Sequence, residues 1–429
     1  MTRMRHRSGP NMHLVKYSLP IDPLWPHFPN GSKCDTLMRA LTHGNVSAQL
    51  SSALRAARGP AVMMLVTCNE AWLLQNFVCS LSARNMTHVL AHMVVWVADD
   101  CAEEAITTRW PGVQLVRLQA TLRIYGWHGK AHTGGTEKHY GSGGGGYAVL
   151  GMMKVAMPFA AYTLGYDAVT SDVDVVWMRN VLSHLHKVVR RTSAELFFTT
   201  EHHSDLYFKG NQRRQGTSCS STNPYASTVN GGFVYARAGM WSAHRVLSSW
   251  MVGCPIVISE KRNQPLLQEV VKGVNQYELK RAAGTRRYTL GSGAACVYQP
   301  QSRNHTLGKE NHTIMVLDSN EYAHGNRDAK LLLRHRRSMR FYHADYCRTW
   351  HHKCQKLREL GELHLKLMPP LPSATTTTST TAATVTKGMP VGDVCTVHWS
   401  TEDRETCQRP APIHDDGARR IHRGNMYDG

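Results

Sequence analysis

The order of apolar segments between residues 60 and 118 predicts an α/β fold built on a parallel, doubly wound sheet. Strand-length apolar runs occur at residues 61–67, 93–98 and 113–118. An apolar stripe at helical spacing separates the first two runs, and a short helix at residues 102–107 separates the second from the third. Because these strands are almost continuously apolar, we expect helices on both faces of the sheet. Ligands of such sheets bind beyond the carboxyl ends of the strands.

The chain divides into a polar N-terminal lead-in, one large α/β domain, a Thr-rich linker and a polar C-terminal tail. These four regions span residues 1–59, 60–365, 366–387 and 388–429. Within the large domain, further helices are predicted at residues 147–164 and 240–252, and further strands at residues 167–177, 196–200 and 232–236. One short helix is predicted in the lead-in, at residues 34–41. The tail is too short and polar for a core of its own, and its cysteines Cys395 and Cys407 are candidates to pair with each other.

The composition is that of a folded, strongly basic protein. The 429-residue chain carries 50 Lys and Arg against 31 Asp and Glu, a formal charge of 50 − 31 = +19. Its 42% apolar and 19% charged residues exclude a disordered chain. A basic excess can indicate a nucleic acid, a membrane surface or an anionic substrate as partner. No helix-turn-helix, zinc-finger or RNA-recognition pattern accompanies it, so a solvated basic surface is preferred over nucleic-acid binding.

The indications of cellular compartment conflict. No CxxC pair occurs among the 11 cysteines, which argues against structural zinc. Five acceptor triplets for N-glycosylation, a mild excess that favours a lumenal protein, begin at Asn30, Asn45, Asn85, Asn304 and Asn311. Chance triplets and buried free thiols are the alternative. No apolar segment approaches the ~18–20 residues that cross a membrane, and no signal peptide is visible. A cytosolic protein and a chain lacking an N-terminal anchor therefore both stay open.

Asp172 and Asp174 are the strongest candidates for chemistry. They follow the apolar strand at residues 168–170 and precede Val175, Val176 and Trp177. Side chains at i and i+2 of an extended chain point to the same side, so both carboxylates could approach one divalent cation. A cation held there would neutralise a diphosphate and stabilise it as a leaving group. Asp-x-Asp alone usually marks a solvated loop, but charges that end a buried strand need a partner.

Other motifs are weaker. Residues 141–146 fit GxGxxG but no strand directly precedes them, so a flexible loop is preferred over a dinucleotide site. The adjacent histidines at 202–203 and 351–352 cannot easily share one metal and are expected at the surface. The chain has neither GxSxG nor GxxxxGK[ST], which excludes the nucleophile elbow of hydrolases and the P-loop.

Several segments, taken in order, resemble the nucleotide-diphospho-sugar transferases of plant cell-wall type, which include rhamnogalacturonan xylosyltransferases and extensin arabinosyltransferases. The resemblance covers residues 60–361, and residues 171–177 are its most specific part. The other segments that carry it are residues 64–71, Tyr147 with Lys154, residues 230–233, 263–264, 317–319 and 343–346, and Lys353. Motifs in the family's order are far more specific than any one of them.

The resemblance implies a GT-A fold, a Rossmann-like, mostly parallel sheet with a donor half and an acceptor half. It implies that Mn²⁺ (or Mg²⁺) binds the donor diphosphate, with carboxylates and a neutral imidazole as ligands, a set that suits Mn²⁺. The implied metal ligands are Asp172, Asp174 and His343. The implied donor-binding residues are Thr67, Asn69, Lys154, Asp172 and Lys353, and the implied catalytic residues beside the donor sugar are Asn230, Asn263 and Gln264. Related enzymes are mostly retaining, so positioning and electrostatic stabilisation would dominate catalysis.

The leading hypothesis is a transferase that moves xylose or arabinose, or next galactose, from a UDP-sugar to a polysaccharide or glycoprotein. The resemblance implies the Golgi lumen or membrane, with membrane association only through an anchor absent from this chain. Asn263 departs from the family's usual Asp and removes a carboxylate beside the sugar. A second hypothesis is therefore a catalytically weak protein that binds a nucleotide sugar or carbohydrate. A basic nucleic-acid-binding protein is the third, and it rests on charge alone.

Overall fold

A computed structural model describes most of the α/β domain and short parts of the regions around it. The described residues are 28–123, 145–192, 194–200, 229–260, 263–271, 285–290, 295–300, 314–317, 321–324, 336–344, 350–368, 395–398 and 401–408. Several features of the sequence analysis lie outside them: residues 141–144, 202–203, 318–319 and 345–346, the acceptor triplets at Asn304 and Asn311, and the Thr-rich segment.

The described residues form twelve α-helices and fourteen β-strands. The helices are α1 (Lys33–Thr42), α2 (Asn45–Ala56), α3 (Ala71–Ala83), α4 (Asp100–Arg109), α5 (Gln119–Arg123), α6 (Gly145–Thr163), α7 (Val181–Thr192), α8 (Trp241–Val252), α9 (Cys254–Glu260), α10 (Asn263–Val271), α11 (Trp350–Glu359) and α12 (Thr401–Gln408). The strands are β1 (Ala61–Val66), β2 (Met93–Val97), β3 (Gln114–Arg117), β4 (Ala168–Ser171), β5 (Val175–Trp177), β6 (Leu196–Thr200), β7 (Val229–Ala236), β8 (Thr285–Leu290), β9 (Ala295–Pro300), β10 (Ile314–Val316), β11 (Tyr322–His324), β12 (Phe341–His343), β13 (Lys366–Met368) and β14 (Thr396–His398). Short 3₁₀ turns occupy Cys68–Glu70 and Thr87–His92.

The main sheet has nine strands in the order β3-β2-β1-β4-β7-β6-β10-β9-β8. β1 runs parallel to β2 and β4, β2 to β3, and β6 to β10. β7 is antiparallel to β4 and β6, and β9 is antiparallel to β8 and β10. Seven of the nine strands therefore point the same way. The predicted mostly parallel α/β sheet is confirmed.

Helices cover both faces of this sheet, as the apolar strands predict. Alternate residues of β1 belong to different halves of the core: Met63 and Leu65 join one half, and Val62 and Met64 join the other. The first half lies against helices including α6 and α8, and the second against helices including α3 and α7. The lead-in contributes to the first half, because α1 and α2 bury four residues each within it. The sequence analysis predicted only the first of these two helices.

The predicted strand at residues 167–177 is two strands in different sheets. β4 belongs to the main sheet, whereas β5 pairs antiparallel with β12 in a three-stranded sheet of order β11-β12-β5. A turn separates them at Val173 and Asp174, so the expected extended chain through the two aspartates is wrong. β4 therefore ends at the carboxyl edge of the main sheet, and the chain leaves it there.

Disulfides attach the described part of the tail to the α/β domain. The described bonds are Cys34–Cys254, Cys68–Cys101, Cys79–Cys395 and Cys354–Cys407. The expected pairing of Cys395 with Cys407 is wrong. β14 pairs with β13 and so places Cys395 beside α3, whereas α12 packs against α11 and places Cys407 beside Cys354. These eight cysteines also overturn the interpretation as buried free thiols.

A buried carboxylate connects the end of α11 to α3. Glu362 is fully buried and pairs with the guanidinium groups of Arg84 and Arg336. Burial alone would raise the pKa of Glu362, but hydrogen bonding to His364 and the charge of Arg84 hold that pKa below its ordinary value. Glu362 is thus a charged structural tie within the domain. Within the described ranges, no helix is both long and apolar enough to span a membrane.

Candidate metal and donor site

Asp172 and Asp174 lie in the turn between β4 and β5, at the carboxyl end of a central strand. The Asp172 amide donates to the carbonyl of Gly232 over 2.8 Å, and the Asp174 carbonyl accepts from the amide of Ala344 over 2.8 Å. These bonds fix the turn to β7 on one side and to the residue after β12 on the other. The turn, not an extended chain, brings the two carboxylates together.

His343 completes the group from a distant part of the chain. It is the last residue of β12 and pairs with Val175 of β5, one residue beyond Asp174. The His343 Nε2 lies 3.1 Å from Asp174 Oδ1 and 3.5 Å from Asp172 Oδ2. One ligand atom from each of the three residues lies within 4.8 Å of the others. The three predicted metal ligands therefore converge.

Gly232 makes room for this convergence. The ladder between β6 and β7 changes register, because Phe198 pairs with Val234 whereas Thr199 pairs with Asn230. Gly232 is one of the β7 residues between Asn230 and Val234 that pair with no β6 residue in this ladder. A Cβ on Gly232 would lie 2.4 Å from His343 Cε1 and 2.8 Å from Asp172 Oδ2. Only glycine fits there without displacing the site.

Each aspartate also has an ammonium partner. Lys154 of α6 lies with its Nζ 2.7 Å from the Asp172 carboxylate, and Lys353 of α11 lies with its Nζ 2.6 Å from Asp174. The two lysines differ in exposure, since the Lys154 side chain is 35% exposed and that of Lys353 only 8%. Both lysines predicted to bind the donor are thus at the site.

The surrounding charges keep both aspartates ionised. Burial alone would raise the pKa of each carboxyl. At Asp172, the Lys154 ammonium and a hydrogen bond from His343 outweigh burial and lower the pKa. At Asp174, Lys353 and His343 hold the pKa well below its usual range. Ionised carboxylates are the form that binds a cation.

The loop after β1 brings a third carboxylate to the site. Thr67 donates its hydroxyl to Glu70 Oε2 over 3.0 Å, within the 3₁₀ turn Cys68–Glu70. Burial raises the pKa of Glu70, and the charges of Lys353 and Lys154 oppose that rise. Glu70 therefore lies in the electrostatic field of both lysines. No local sequence pattern marks Glu70 as part of the site, because its proximity to Lys353 depends on a helix that begins 280 residues further along the chain.

Thr67 and Asn69 are the two residues on this loop that were predicted to bind the sugar donor. Of the two, Thr67 is connected to the site by a described contact, its bond to Glu70. Asn69 is exposed in the turn, and no contact among the described residues joins it to the aspartates. The Cys68–Cys101 disulfide and a 3.1 Å bond from the Cys68 amide to Asp99 hold the loop to the start of α4. Cys68, Asp99 and Cys101 also form a cluster of metal-ligand types, but oxidised sulfurs are not thiolate ligands.

The three residues predicted beside the donor sugar all bond to the protein itself. Asn230 Oδ1 accepts from the Gly232 amide over 2.6 Å. Gln264 accepts from the Gly231 amide over 2.9 Å and donates to the Val229 carbonyl. Asn263 Oδ1 instead accepts from the indole nitrogen of Trp250 over 2.9 Å. Asn230 and Gln264 thus bond to the β7 backbone between Val229 and Gly232, whereas the described bond of Asn263 is to the core tryptophan Trp250.

The side chains of Asp172, Asp174 and His343 fit a divalent cation. They offer carboxylate oxygens and an imidazole nitrogen that are largely buried. Gly232 leaves free the space beside them that a side chain would fill. Carboxylate and imidazole ligands suit Mn²⁺, and the carboxylates also suit Mg²⁺. Asp172, Asp174 and His343 would hold such an ion.

The sequence profile of the nucleotide-diphospho-sugar transferases matches residues 88–357, well over half of the chain. The chain belongs to this family. The match includes every predicted site residue except Thr67 and Asn69, which precede it. The predicted enzyme class, a glycosyltransferase that uses a nucleotide sugar, is therefore confirmed at the level of the family.

Comparisons with individual proteins add little detail. No curated protein matches the chain in sequence. The solved structures that it resembles include the bifunctional glycosyltransferase WbbM in its apo form, with 12% identity, a TM-score of 0.35 and coverage of 68% of this chain. The match spans only 46% of the length of WbbM. Mouse xyloside xylosyltransferase 1 in its apo form is also 12% identical, with a TM-score of 0.32 and coverage of 67% of this chain and 98% of that one. The galactosyltransferase LgtC, in complex with donor and acceptor sugar analogues, is 12% identical, with a TM-score of 0.31 and coverage of 71% and 96%.

Proposed function

We propose that the protein is a metal-dependent glycosyltransferase that moves a sugar from a UDP-sugar to a polysaccharide or glycoprotein acceptor. The observation that carries the proposal is the convergence of Asp172, Asp174 and His343 to within 4.8 Å in a chain of this family. The site lies beyond the carboxyl end of β4, where ligands of open α/β sheets bind.

The residues around the metal ligands supply positive charge for a diphosphate. A bound Mn²⁺ or Mg²⁺ would act as a Lewis acid on the leaving diphosphate. Lys154 belongs to α6 and Lys353 to α11, and their ammonium groups can offset further phosphate charge. Thr67 and Glu70 bond to each other on the β1 side, where Glu70 lies in the electrostatic field of both lysines.

The residues on the sugar side act by position. Gln264 and Asn230 fix the β7 backbone from Val229 to Gly232 through three hydrogen bonds. The donor sugar would lie against this fixed backbone and the two amide side chains. We propose transfer with retention, in which departure of UDP and attack by the acceptor occur on the same face and the protein contributes positioning and electrostatic stabilisation.

The proposed donors are UDP-xylose or UDP-arabinose first and UDP-galactose next. This order rests on the resemblance of residues 171–177 and the segments around them to transferases of plant cell-wall type. The acceptor is a polysaccharide or a glycoprotein on the same grounds.

We propose the Golgi lumen or membrane as the location. Four described disulfides indicate an oxidising compartment, since disulfides are rare in the cytosol. The three acceptor asparagines within the described ranges, Asn30, Asn45 and Asn85, are all exposed, as glycosylation requires.

Binding of UDP in the presence of Mn²⁺ tests the metal site directly. Asp174→Asn removes the negative charge of one metal ligand and leaves the side-chain volume nearly unchanged. We therefore expect it to abolish Mn²⁺-dependent binding of UDP in a calorimetric titration. Asp100→Asn is the matched control, because Asp100 is exposed and pairs with Arg123 outside the site. If Asp174→Asn bound Mn²⁺ and UDP as tightly as the wild type, the site would be wrongly assigned.

Asn263 motivates a second candidate, a nucleotide-sugar-binding protein with little turnover. The Asn263 oxygen is engaged by Trp250, and Asn263 stands where the family usually has an aspartate. This candidate predicts that the wild type binds a UDP-sugar without releasing UDP and that Asn263→Asp restores release. Release of UDP by the wild type would overturn it.

A further inference from the structure

A disulfide with an exposed cysteine joins the loop after β1 to the start of α4. Cys101 is exposed and its partner Cys68 is half-buried. Every cysteine of the other three described disulfides is buried or half-buried, and Cys254, Cys79 and Cys354 are at most 2% exposed. An external thiol must reach a sulfur to reduce a disulfide. Among the described disulfides, the bond between Cys68 and Cys101 is therefore the one that a reductant reaches most easily.

Asp99 adds a carboxylate beside this disulfide. One ligand atom from each of Cys68, Asp99 and Cys101 lies within 4.8 Å of the others. The buried Asp99 carboxylate accepts from the Cys68 amide over 3.1 Å and from the Ala102 amide over 2.8 Å, through different oxygens. A carboxylate oxygen has two lone pairs, so each oxygen keeps one for a metal ion. Hydrogen bonds of this kind orient metal ligands.

The three residues are brought together by the sheet. Cys68 follows β1, whereas Asp99 and Cys101 follow β2, and these strands are parallel neighbours. Their carboxyl ends therefore meet at one edge of the sheet. The two cysteines are 33 residues apart, so no local spacing in the sequence marks them as a pair of ligands.

Reduction would turn both sulfurs into metal ligands. A thiolate of an external dithiol attacks the exposed Cys101 Sγ, the sulfur–sulfur bond breaks, and Cys68 leaves as a thiolate. The second thiol of the reagent then closes its own disulfide and releases Cys101. Two electrons pass from the dithiol to the protein, and its two protons pass to the released sulfurs or to water. Cys101 lies in the first turn of α4, where the partial positive charge of the helix stabilises a thiolate.

We propose that Cys68, Asp99 and Cys101 form a second cation site, which the disulfide closes, a dithiol opens, and Zn²⁺ occupies. Two thiolates and a carboxylate are ligands that Zn²⁺ accepts, and water completes its four-coordinate shell. The bound ion would keep the β1 loop joined to α4 after the covalent bond is lost. None of the three ligands belongs to the proposed metal and donor site, so the proposal is independent of the proposed function.

The test measures Zn²⁺ binding before and after treatment with a limiting amount of dithiothreitol. Alkylation and peptide mass spectrometry should show Cys68 and Cys101 as the first thiols released. In calorimetric titrations, the reduced protein should then bind one more Zn²⁺ per chain than the oxidised protein. The oxidised protein is the baseline, because carboxylates and imidazole elsewhere in the chain can also bind Zn²⁺. With Co²⁺ as the probe, absorption by charge transfer from thiolate to metal should appear only after reduction.

Matched variants separate metal ligation from a structural role. The double variant Cys68→Ser and Cys101→Ser removes both sulfurs and keeps the other described disulfides, so it should bind no additional Zn²⁺ after the same treatment. Asp99→Asn keeps both thiols and an N-cap oxygen for α4. It should bind the additional Zn²⁺ at least about 10-fold more weakly, since loss of mere support for a metal ligand already costs about that factor. Asp100→Asn, at the exposed neighbouring position, should bind it as the wild type does.

Three results would overturn the proposal. If Cys68 and Cys101 are released but no additional Zn²⁺ binds, the two thiolates and Asp99 do not form a cation site. The same conclusion follows if the double serine variant binds as much additional Zn²⁺ as the wild type. If other disulfides open before this one, the site is not opened by a dithiol as proposed. The proposed function is tested separately, by Mn²⁺-dependent binding of UDP to the oxidised protein.

Discussion

Replacement of Gly232 by alanine should damage the metal site more than it damages the fold. The added Cβ would lie 2.4 Å from His343 Cε1 and 2.8 Å from Asp172 Oδ2 and Asn230 Oδ1. Carbon atoms in contact are normally about 3.5–4.0 Å apart, so His343 and Gly232 must separate by about 1 Å. Overpacking of this kind costs about 1–3 kcal/mol of folding stability. All three displaced groups belong to the site or support it.

In Gly232→Ala, the affinity for Mn²⁺ with UDP should therefore fall by more than the loss of folding stability alone would suggest. Loss of support around metal ligands typically lowers metal affinity about 10–100-fold, and we expect that range for Mn²⁺ with UDP in Gly232→Ala. Calorimetric titration measures the affinity, and thermal unfolding measures the stability of the same preparation. Gly112→Ala is the control, because no atom lies within 4 Å of its added Cβ. Wild-type affinity and melting temperature in Gly232→Ala would show that the absence of a side chain at Gly232 is not needed for the site.

Three further predictions concern stability and location. The pKa of Glu362 is lowered in the folded state, so the stabilisation by its charge is present above the ordinary pKa of 4.5 and is lost as the pH falls through the lowered pKa. Glu362→Gln should lower the free energy of unfolding at neutral pH and make that free energy fall less steeply in acid, which urea unfolding at several pH values would measure. The same steepness in the variant as in the wild type would contradict this role. Loss of the Cys354–Cys407 disulfide in the double serine variant should cost about 2–5 kcal/mol, and an unchanged melting temperature would show that α12 is not attached in this way. When the protein is secreted from eukaryotic cells, treatment with peptide-N-glycosidase should lower its mass. The described acceptors are Asn30, Asn45 and Asn85. If a variant without these three asparagines were secreted with the same mass as the wild type, their glycosylation would be excluded.

Local patterns were sufficient for the strands and for the carboxylate pair. β2, β3 and β6 lie within one residue of the predicted bounds at each end, because each coincides with a short run rich in apolar residues. The aspartates were found because charges after a buried strand are unusual. The turn between them was missed, because β5 pairs with β12, and that partner lies some 165 residues further along the chain.

The rest of the site depends on contacts that no local pattern records. His343 and Lys353 entered the sequence analysis only through the resemblance to a family, since nothing near them marks a ligand. Glu70 and Gly232 were missed as parts of the site because their importance comes from neighbours on other elements. The bond between Asn263 and Trp250 could not be predicted, because it requires the packing of α10 against α8.

Cation-dependent turnover of the donor tests the central claim most directly. Purified protein would be given a panel of UDP-sugars with and without Mn²⁺, and the release of UDP would be measured. We predict slow release of UDP from one donor, dependent on Mn²⁺ and lost in Asp174→Asn. No release from any donor, together with no binding of UDP in the presence of Mn²⁺, would contradict it.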